Sequence, residues 1–298
     1  MTSACDFEPL ERLARFAWDW APALCDPAHG CLDYHRSWSL VRLLELGGAV
    51  PSGSAFFQRE IAALAREGGR RVLISGGADT GVTSLVVDAF RAAQAEPDLV
   101  FVDRCRTPCW QNRLFARERG SGWEVLNMDA QDIDCAPVDA VVAHSFLHLL
   151  DARVRTGVLA AWARVVKPGG RVLLSCALSA GEDDWVRTKD AELIGERRMS
   201  LERAAGAAGF APAQAREIAA AAARFWATSP GRPPALTREN VRASLQNAGF
   251  ELVSIDTSPI ASVKGPLAVT TRETSPRERA EIVAVRRQAV RGQRESLG

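Results

Sequence analysis

Alternating apolar and polar segments along the chain predict a parallel sheet flanked by helices. Five apolar runs are typical of buried strands, and they cover residues 71–75, 98–103, 123–128, 138–143 and 171–176. Between them, apolar residues recur at helical spacing, as in 85–93 and 154–166. The residues from Lys167 to Gly170 (Lys-Pro-Gly-Gly) stop the second of these helices. Strands that alternate with helices in this way predict a doubly wound α/β fold, which binds ligands outside the carboxyl ends of its strands.

The segments that follow the strands carry the candidate binding residues. The first strand runs into a turn of small residues, Gly76 to Gly81, which opens a helix. Such a turn lets the backbone approach a ligand closely, and the free N–H groups of the helix start face that ligand. The second strand ends in Asp103, where a doubly wound fold places an acid for ribose hydroxyls. The third strand is followed by Asp129 and the fourth runs into His144, so we expect these groups to meet at one rim around a nucleotide-like cofactor.

Helical segments lie outside the sheet in three parts of the chain. Residues 1–69 form a predicted cap of three helices, at 10–24, 31–46 and 54–66. Residues 181–246 form a helical insertion within the domain 70–272, with helices predicted at 183–208 and 212–228. Arginines interleaved with acids and apolar residues in the tail, 273–298, indicate an amphipathic helix that is exposed or bound to a partner.

Composition narrows the function classes. The chain has 298 residues, 47% of them hydrophobic, which is enough for one large domain with a cap. A net charge of +1 leaves no electrostatic footprint for nucleic acid, so we expect a small-molecule substrate. With no long apolar run and no leader pattern, the expected location is the cytoplasm, without a membrane partner. Cap, insertion and tail each offer a surface for a homodimer.

Cysteine usage argues against a metal site. The seven cysteines are scattered without Cys-x-x-Cys pairs, which favours reduced thiols. Cys105 and Cys109 lie four apart beside the second strand, but no other Cys or His pair completes a set of four ligands. We therefore expect no metal, and we interpret these thiols as small buried hydrophobic side chains.

The chain resembles the class I S-adenosylmethionine (SAM) dependent methyltransferases over residues 70–176 and 246–272. Five motifs come in that family's order: the glycine turn, Asp103, Asp129, Phe-Leu-His-Leu-Leu after the fourth strand and Val-Lys-Pro-Gly-Gly before the fifth. The resemblance implies a Rossmann-like, seven-stranded sheet with an antiparallel last strand. The closing hairpin would come from residues 250–255 and 266–271.

The resemblance also implies roles for individual residues. Asp103 would bind the ribose hydroxyls, and His144 to Phe146 would lie beneath the sulfonium. The implied cofactor-binding set is Gly76, Gly77, Ala78, Thr80, Asp103, Arg104, Met128, Asp129, Ala130, His144, Ser145 and Phe146. The fourth strand is not followed by the Asn/Asp-Pro-Pro-Tyr type of motif, so nucleic-acid methylation is not expected.

Three residues are candidates for the chemistry. His144 follows a strand end at the rim, and histidine is the side-chain type whose ordinary pKa lies nearest neutrality, which suits an acid or base. His148 lies in an apolar run and is interpreted as packing. Tyr34, the single tyrosine, and Trp38 belong to the group Tyr34-His35-x-x-Trp38 in an aromatic-rich cap. Aromatic faces within about 6 Å stabilise a sulfonium cation, so these two side chains could close over the reactive centre.

The sequence leaves several functions open. Direct methyl transfer from SAM to a small molecule, which depends mainly on alignment and exclusion of water, is the leading hypothesis. The family usually carries an acid two residues before the first glycine, where Ile74 stands. Because a missing carboxylate favours the neutral amine, cyclisation of SAM to azetidine-2-carboxylate and methylthioadenosine is a second hypothesis. A non-catalytic SAM-binding protein is a third, and the Lys-Pro-Gly-Gly segment weighs against an NAD(P)-dependent oxidoreductase.

Overall fold

A seven-stranded sheet forms the centre of the fold. The structure, a computed structural model, describes residues 8–46, 54–178, 191–228, 236–259 and 278–288. The strands are β1 (Arg71–Ser75), β2 (Asp98–Asp103), β3 (Glu124–Asn127), β4 (Val138–His144), β5 (Val166–Leu178), β6 (Phe250–Pro259) and β7 (Glu278–Arg286). Their order across the sheet is β3-β2-β1-β4-β5-β7-β6. Strands β1 to β5 are parallel, and β7 runs antiparallel to both β5 and β6. The predicted Rossmann-like fold with an antiparallel last strand is confirmed.

The apolar runs become strands that are buried on both faces. In β1, Val72, Leu73 and Ile74 are all fully buried, which is typical of a parallel sheet covered by helices on each side. Leu73 belongs to a core cluster with residues of α6 and α9, whereas Val72 and Ile74 belong to a second cluster with α3 and α4. The sheet therefore separates two apolar layers, and its polar groups come together at the strand ends.

Nine helices occupy the described part of the chain. They are α1 (Leu10–Leu24), α2 (Leu32–Leu43), α3 (Ser54–Arg66), α4 (Gly81–Ala92), α5 (Arg106–Glu118), α6 (Ala152–Val165), α7 (Ala191–Ala207), α8 (Pro212–Thr228) and α9 (Arg238–Asn247). The predicted cap helices agree closely with α1 to α3. Among the described residues, no helix combines the length and apolar character that crossing a membrane requires.

Helices α1 and α2 of the cap pack with α7 and α8 of the insertion. Trp18 of α1 and Leu40 of α2 share an apolar cluster with Leu201 of α7 and Ile218 of α8. Ion pairs reinforce the contact of α2 with α8, because Arg224 donates to both carboxylate oxygens of Asp33 at 2.7 and 3.0 Å. Two segments that are about 150 residues apart in the printed sequence thus pack as a single unit.

The helix predicted for the C-terminal tail is wrong for residues 278–286, which form β7. β-branched side chains, Ile282, Val283 and Val285, favour a strand, and β7 gains ladder hydrogen bonds on both sides because it lies between β5 and β6. Ile282 is fully buried in the sheet core. The predicted hairpin strand at 266–271 lies outside the described residues.

Asp139 fixes the amino-terminal edge of the sheet. Its Oδ2 accepts the backbone N–H groups of Arg70 and Arg71 at 2.8 and 2.9 Å, and its Oδ1 accepts the Lys167 ammonium at 2.5 Å. Burial alone would raise the pKa of Asp139, but Lys167 and the two N–H groups hold it below its usual range. The carboxylate therefore connects the starts of β1, β4 and β5.

Candidate active site

A cavity of about 410 Å³ opens at the carboxyl edge of the sheet. The turn after β1, the ends of β2 and β4 and the segment after β3 line it from below, and α2 of the cap lines it from above. This volume lies within the range of small-molecule and cofactor sites, about 300–1,000 Å³. The predicted convergence of the strand ends is the geometry that forms it.

The turn after β1 lines the cavity with backbone atoms of glycine residues, which have no side chain. Gly76 has φ +74° and donates its N–H to the carbonyl oxygen of Val102 at 2.9 Å. A Cβ on Gly76 would lie 2.7 Å from Cγ and Cε2 of Phe146, closer than real Cβ contacts. Glycine is thus required at this position both by the backbone conformation and by the aromatic ring beside it.

Asp103, at the end of β2, lies deep in the cavity wall. One carboxylate oxygen accepts the Gly77 N–H at 3.2 Å and the other accepts the Cys105 N–H at 2.7 Å. Burial raises the pKa of Asp103 to about 6, against the lowering effect of the Cys105 and Gly77 N–H groups. Each oxygen keeps a further lone pair, so a fixed, bidentate acceptor is available to a pair of hydroxyls.

The segment after β4 forms the floor of the cavity. The His144 ring is about nine-tenths buried and lies 5.6 Å from the Phe57 ring of α3, centroid to centroid. Ser145 follows with φ +53°, an unusual conformation for a residue that is not glycine, and its N–H donates to Ser175 O. Such conformations cost of order 1–3 kcal/mol and cluster at functional sites. The bend turns the chain so that His144, Ser145 and Phe146 all line the cavity.

Aromatic side chains of α2 cover the cavity. The Tyr34 and Trp38 rings are 5.2 Å apart, centroid to centroid, and both line the cavity. On its other side, Tyr34 lies 4.7 Å from Phe225 of α8. The insertion therefore supports the aromatic lid that the sequence predicts for the cap.

A buried ionic cluster joins the cap to the turn after β1. Arg42 of α2 donates through Nε to Asp79 at 2.8 Å and through both terminal nitrogens to Glu8. The side chains of Arg42, Glu8 and Asp79 are 7%, 0% and 4% exposed. Thr80 donates its hydroxyl to Glu8, and Ser39 donates to Asp79 at 3.3 Å. The position of the turn is thus set by charges supplied by the cap.

Comparison with known proteins agrees with this architecture. Residues 80–174 match the family model described as the methyltransferase domain. This match covers about a third of the chain, and it confirms the predicted resemblance to SAM-dependent methyltransferases for that part. No curated protein sequence matches the chain significantly.

The chain is similar to several solved structures, one of which has a TM-score above 0.5. A putative sarcosine dimethylglycine methyltransferase from Galdieria sulphuraria is similar with a TM-score of 0.51 at 10% identity, over 78% of this chain and 85% of that chain. The mitomycin 7-O-methyltransferase gives a TM-score of 0.49 at 17% identity, over 95% and 67%. An O-methyltransferase family protein from Burkholderia thailandensis gives 0.48 at 15%, over 95% and 72%. At such identities the likeness concerns the fold and leaves the substrate open.

The cavity of the methyltransferase domain brings together most of the predicted site residues. Those in its lining are Tyr34, Trp38, Gly76, Gly77, Ala78, Asp103, Arg104, Asp129, Ala130, His144, Ser145 and Phe146. Thr80 and Met128 are not part of this lining: Thr80 is fully buried with its hydroxyl on Glu8, and Met128 packs against the core below the sheet. The roles of all these residues stay predictions.

The lining also contains residues that sequence reasoning missed. They are Cys31, Asp79, Val82, Val102, Cys105, Leu149, Leu150, Asp151, Val154 and Val158. The position of Asp79 inside the glycine turn pointed to the cavity. Its buried ion pair with Arg42 could not be predicted, because the two residues are far apart in the sequence. Two of the missed residues, Cys31 and Cys105, and also His35, which lines the cavity beside Tyr34 and Trp38, carry atoms of the type that bind transition metals.

Proposed function

We propose that the protein transfers the methyl group of SAM to a small-molecule acceptor inside the cavity between cap and sheet. The observation that carries the proposal is the joint presence, in one cavity, of the bare turn at Gly76, the bidentate acceptor Asp103 and the aromatic lid. A cavity of about 410 Å³ covered by helices favours a small acceptor over a macromolecule.

The residues present fit SAM. Asp103 has a free lone pair on each oxygen for the ribose hydroxyls, and Gly76 leaves space that a Cβ would fill. Asp129 presents a carboxylate next to Ala130 at the adenine end implied by the family resemblance, and its Oδ1 accepts the Gln131 N–H at 2.9 Å. When bound, SAM supplies an electrophilic methyl group on a sulfonium.

The protein's own residues would orient the reactants and exclude water. Tyr34 and Trp38 offer aromatic faces to a cation, and the α2 helix that carries them lines one side of the cavity. His144 is positioned to accept a proton from an acceptor hydroxyl or amine, because its ring lies in the cavity floor at the end of β4. Alignment and desolvation are expected to supply most of the rate enhancement.

A second candidate is the cyclisation of SAM itself. In this reaction the α-amino nitrogen attacks the γ-carbon, the carbon–sulfur bond breaks, and azetidine-2-carboxylate, methylthioadenosine and a proton are released. The groups near the turn after β1 support this reaction. An apolar, fully buried side chain, Ile74, stands where the family usually carries an acid, and the Asp79 carboxylate is already paired with Arg42. A site without an unpaired carboxylate near the ammonium group favours its neutral form, which is the nucleophile.

Product analysis distinguishes the candidates. The purified full chain is incubated with SAM alone and with SAM plus pooled small-metabolite extracts, and products are identified by mass spectrometry. Methyl transfer predicts S-adenosylhomocysteine and a methylated product in the extract arm alone. Cyclisation predicts methylthioadenosine and azetidine-2-carboxylate in equal amounts in both arms. Unchanged SAM in both arms, with SAM bound to the protein, would contradict both enzymatic proposals and support a binding protein.

Matched variants connect the activity to the cavity. Asp103→Asn removes the charge of the proposed ribose ligand at the end of β2. Asp98→Asn makes the same change at the exposed start of that strand, outside the cavity. Product formation should fall in the first variant and stay at the wild-type rate in the second.

A further inference from the structure

Four side chains from separate segments form a sulfur-rich cluster beside the cavity. Cys25 follows the end of α1, Cys31 precedes α2, His35 lies in the first turn of α2, and Cys105 precedes α5. Cys25, His35 and Cys105 are buried, Cys31 is half-buried, and the three cysteines are free thiols. The cluster is formed only in the folded chain, since Cys105 is 80 residues from Cys25.

Three of the six distances between ligand atoms in the cluster are close to those of a tetrahedral metal site. The sulfur of Cys25 lies 3.5 Å from the sulfur of Cys105 and 3.7 Å from Nδ1 of His35, and the sulfurs of Cys31 and Cys105 are 3.8 Å apart. All four ligand atoms lie within 4.8 Å of one another. Metal–ligand bonds of about 2.3 Å to sulfur and about 2.0 Å to nitrogen, at tetrahedral angles, require separations of about 3.8 Å between sulfurs and about 3.6 Å between sulfur and nitrogen.

Two helix N-termini and a hydroxyl group lie beside the cluster. Cys31 is the N-cap of α2 and Cys105 is the N-cap of α5, so the positive ends of two helix dipoles meet at the cluster. The hydroxyl oxygen of Thr107 lies 3.2 Å from the sulfur of Cys25, within hydrogen-bonding distance. Hydrogen bonds of this kind orient metal ligands and tune their affinity.

We propose that Cys25, Cys31, His35 and Cys105 bind one zinc ion, which joins the helical cap to the sheet domain. Three thiolates and one imidazole in tetrahedral arrangement are a zinc donor set, and hard cations prefer oxygen ligands. With four protein ligands the site has no open position, so its role is structural. This differs from the expectation of no metal, whose premise was that no other Cys or His joins Cys105 to complete four ligands.

The site has a consequence for the cavity. Cys31, His35 and Cys105 line it, and Cys105 is two residues beyond Asp103. The zinc ion would therefore hold α2, and with it the aromatic lid, over the cofactor position. The proposal stands whether the bound cofactor is a methyl donor or a sole substrate, because it concerns the attachment of the cap.

Metal analysis of matched variants tests the proposal. The full chain, purified without chelators, should contain about one zinc per molecule by plasma mass spectrometry. Cys31→Ala should lose most of this zinc, while Cys135→Ala, which removes another half-buried thiol outside the cluster, should keep it. His35→Ala should lose zinc and His35→Cys should retain it, because a fourth thiolate completes the same geometry. Zinc that persists in both Cys31→Ala and His35→Ala would overturn the assignment.

A second measurement uses the wild-type chain and needs no variant to fold. The protein is stripped with a chelator and refilled with Co²⁺, which reports thiolate ligation through intense visible and near-ultraviolet absorption. Tetrahedral thiolate bands that saturate at one Co²⁺ per chain, disappear on addition of zinc, and accompany a higher melting temperature support the proposal. Absence of these bands after Co²⁺ addition, with no zinc in the purified protein, would overturn it.

Discussion

Removing Arg42 tests whether buried charge holds the cap on the cofactor turn. In Arg42→Ala, the carboxylates of Glu8 and Asp79 stay buried without their shared cation. Breaking a buried ion pair by deleting one partner costs about 3–5 kcal/mol of unfolding free energy. The two carboxylates still accept hydrogen bonds from the Thr80 and Ser39 hydroxyls and from the Gly81 N–H. We therefore expect the loss of unfolding free energy to lie near the lower end of this range, at about 3 kcal/mol.

Urea unfolding followed by tryptophan fluorescence measures this loss. A destabilisation of about 3 kcal/mol corresponds to a fall in melting temperature of roughly 6 °C, at about 2 °C per kcal/mol for a chain of this size. The control is Arg224→Ala, which breaks the exposed pair with Asp33 between α2 and α8 and should cost about 1 kcal/mol or less. The triple variant Glu8→Gln, Arg42→Met, Asp79→Asn should be more stable than Arg42→Ala, because no buried charge is left unpaired.

Two results would refute this reasoning. Equal stabilities of Arg42→Ala and Arg224→Ala would mean that hydration or protonation of the Glu8 and Asp79 carboxylates replaces the lost cation at little cost in free energy. A triple variant less stable than Arg42→Ala would mean that the lost packing of the side chains, and not the unpaired charge, dominates.

Three further predictions concern the cavity and the sheet. Asp103→Asn should weaken SAM binding roughly tenfold to a hundredfold, the equivalent of about 1.5–3 kcal/mol for lost hydrogen bonds to a charged acceptor, by calorimetric titration; unchanged affinity would exclude Asp103 as a ligand. Gly76→Ala should lower the melting temperature, because a Cβ at φ +74° introduces strain of about 1 kcal/mol or more. It should also weaken SAM binding by displacing the Phe146 ring. Unchanged melting temperature and affinity would contradict the close contact between Gly76 and Phe146. Asp139→Asn should cost about 1–2 kcal/mol at pH 7. The pKa of Asp139 is lowered on folding, so the stability that its carboxylate contributes is present above the unfolded pKa of about 3.9 and is lost as the pH falls below that value. The difference in unfolding free energy between Asp139→Asn and wild type, measured by urea denaturation, should therefore be smaller at pH 3 than at pH 7. An equal difference at both pH values would contradict the role of the Asp139 carboxylate at the sheet edge.

The local pattern of the sequence predicts the parallel half of the sheet well. Continuous apolar runs such as Val72 to Ile74 read as strands because both faces of a parallel sheet are buried, and small residues after them read as turns. The rim could be predicted for the same reason, since strands that run in one direction bring their ends together. The position of His144 and Asp103 at strand ends was enough to predict that both residues lie at the cavity.

Contacts between distant segments could not be read from spacing. β7 looks like an amphipathic helix in isolation, and its place between β5 and β6 decides its conformation. Thr80 was predicted to face the cofactor, but Glu8, 72 residues earlier, takes its hydroxyl. The cluster of Cys25, Cys31, His35 and Cys105 has no compact sequence motif, because its last member is supplied by a different part of the fold.

Calorimetric titration of SAM into ligand-free protein tests whether the cavity is a SAM site. We expect saturable binding of about one SAM per chain, competition by S-adenosylhomocysteine, weaker binding in Asp103→Asn and wild-type binding in Asp98→Asn. A folded protein that binds neither SAM nor S-adenosylhomocysteine, or that binds them equally well without the Asp103 charge, would contradict this expectation.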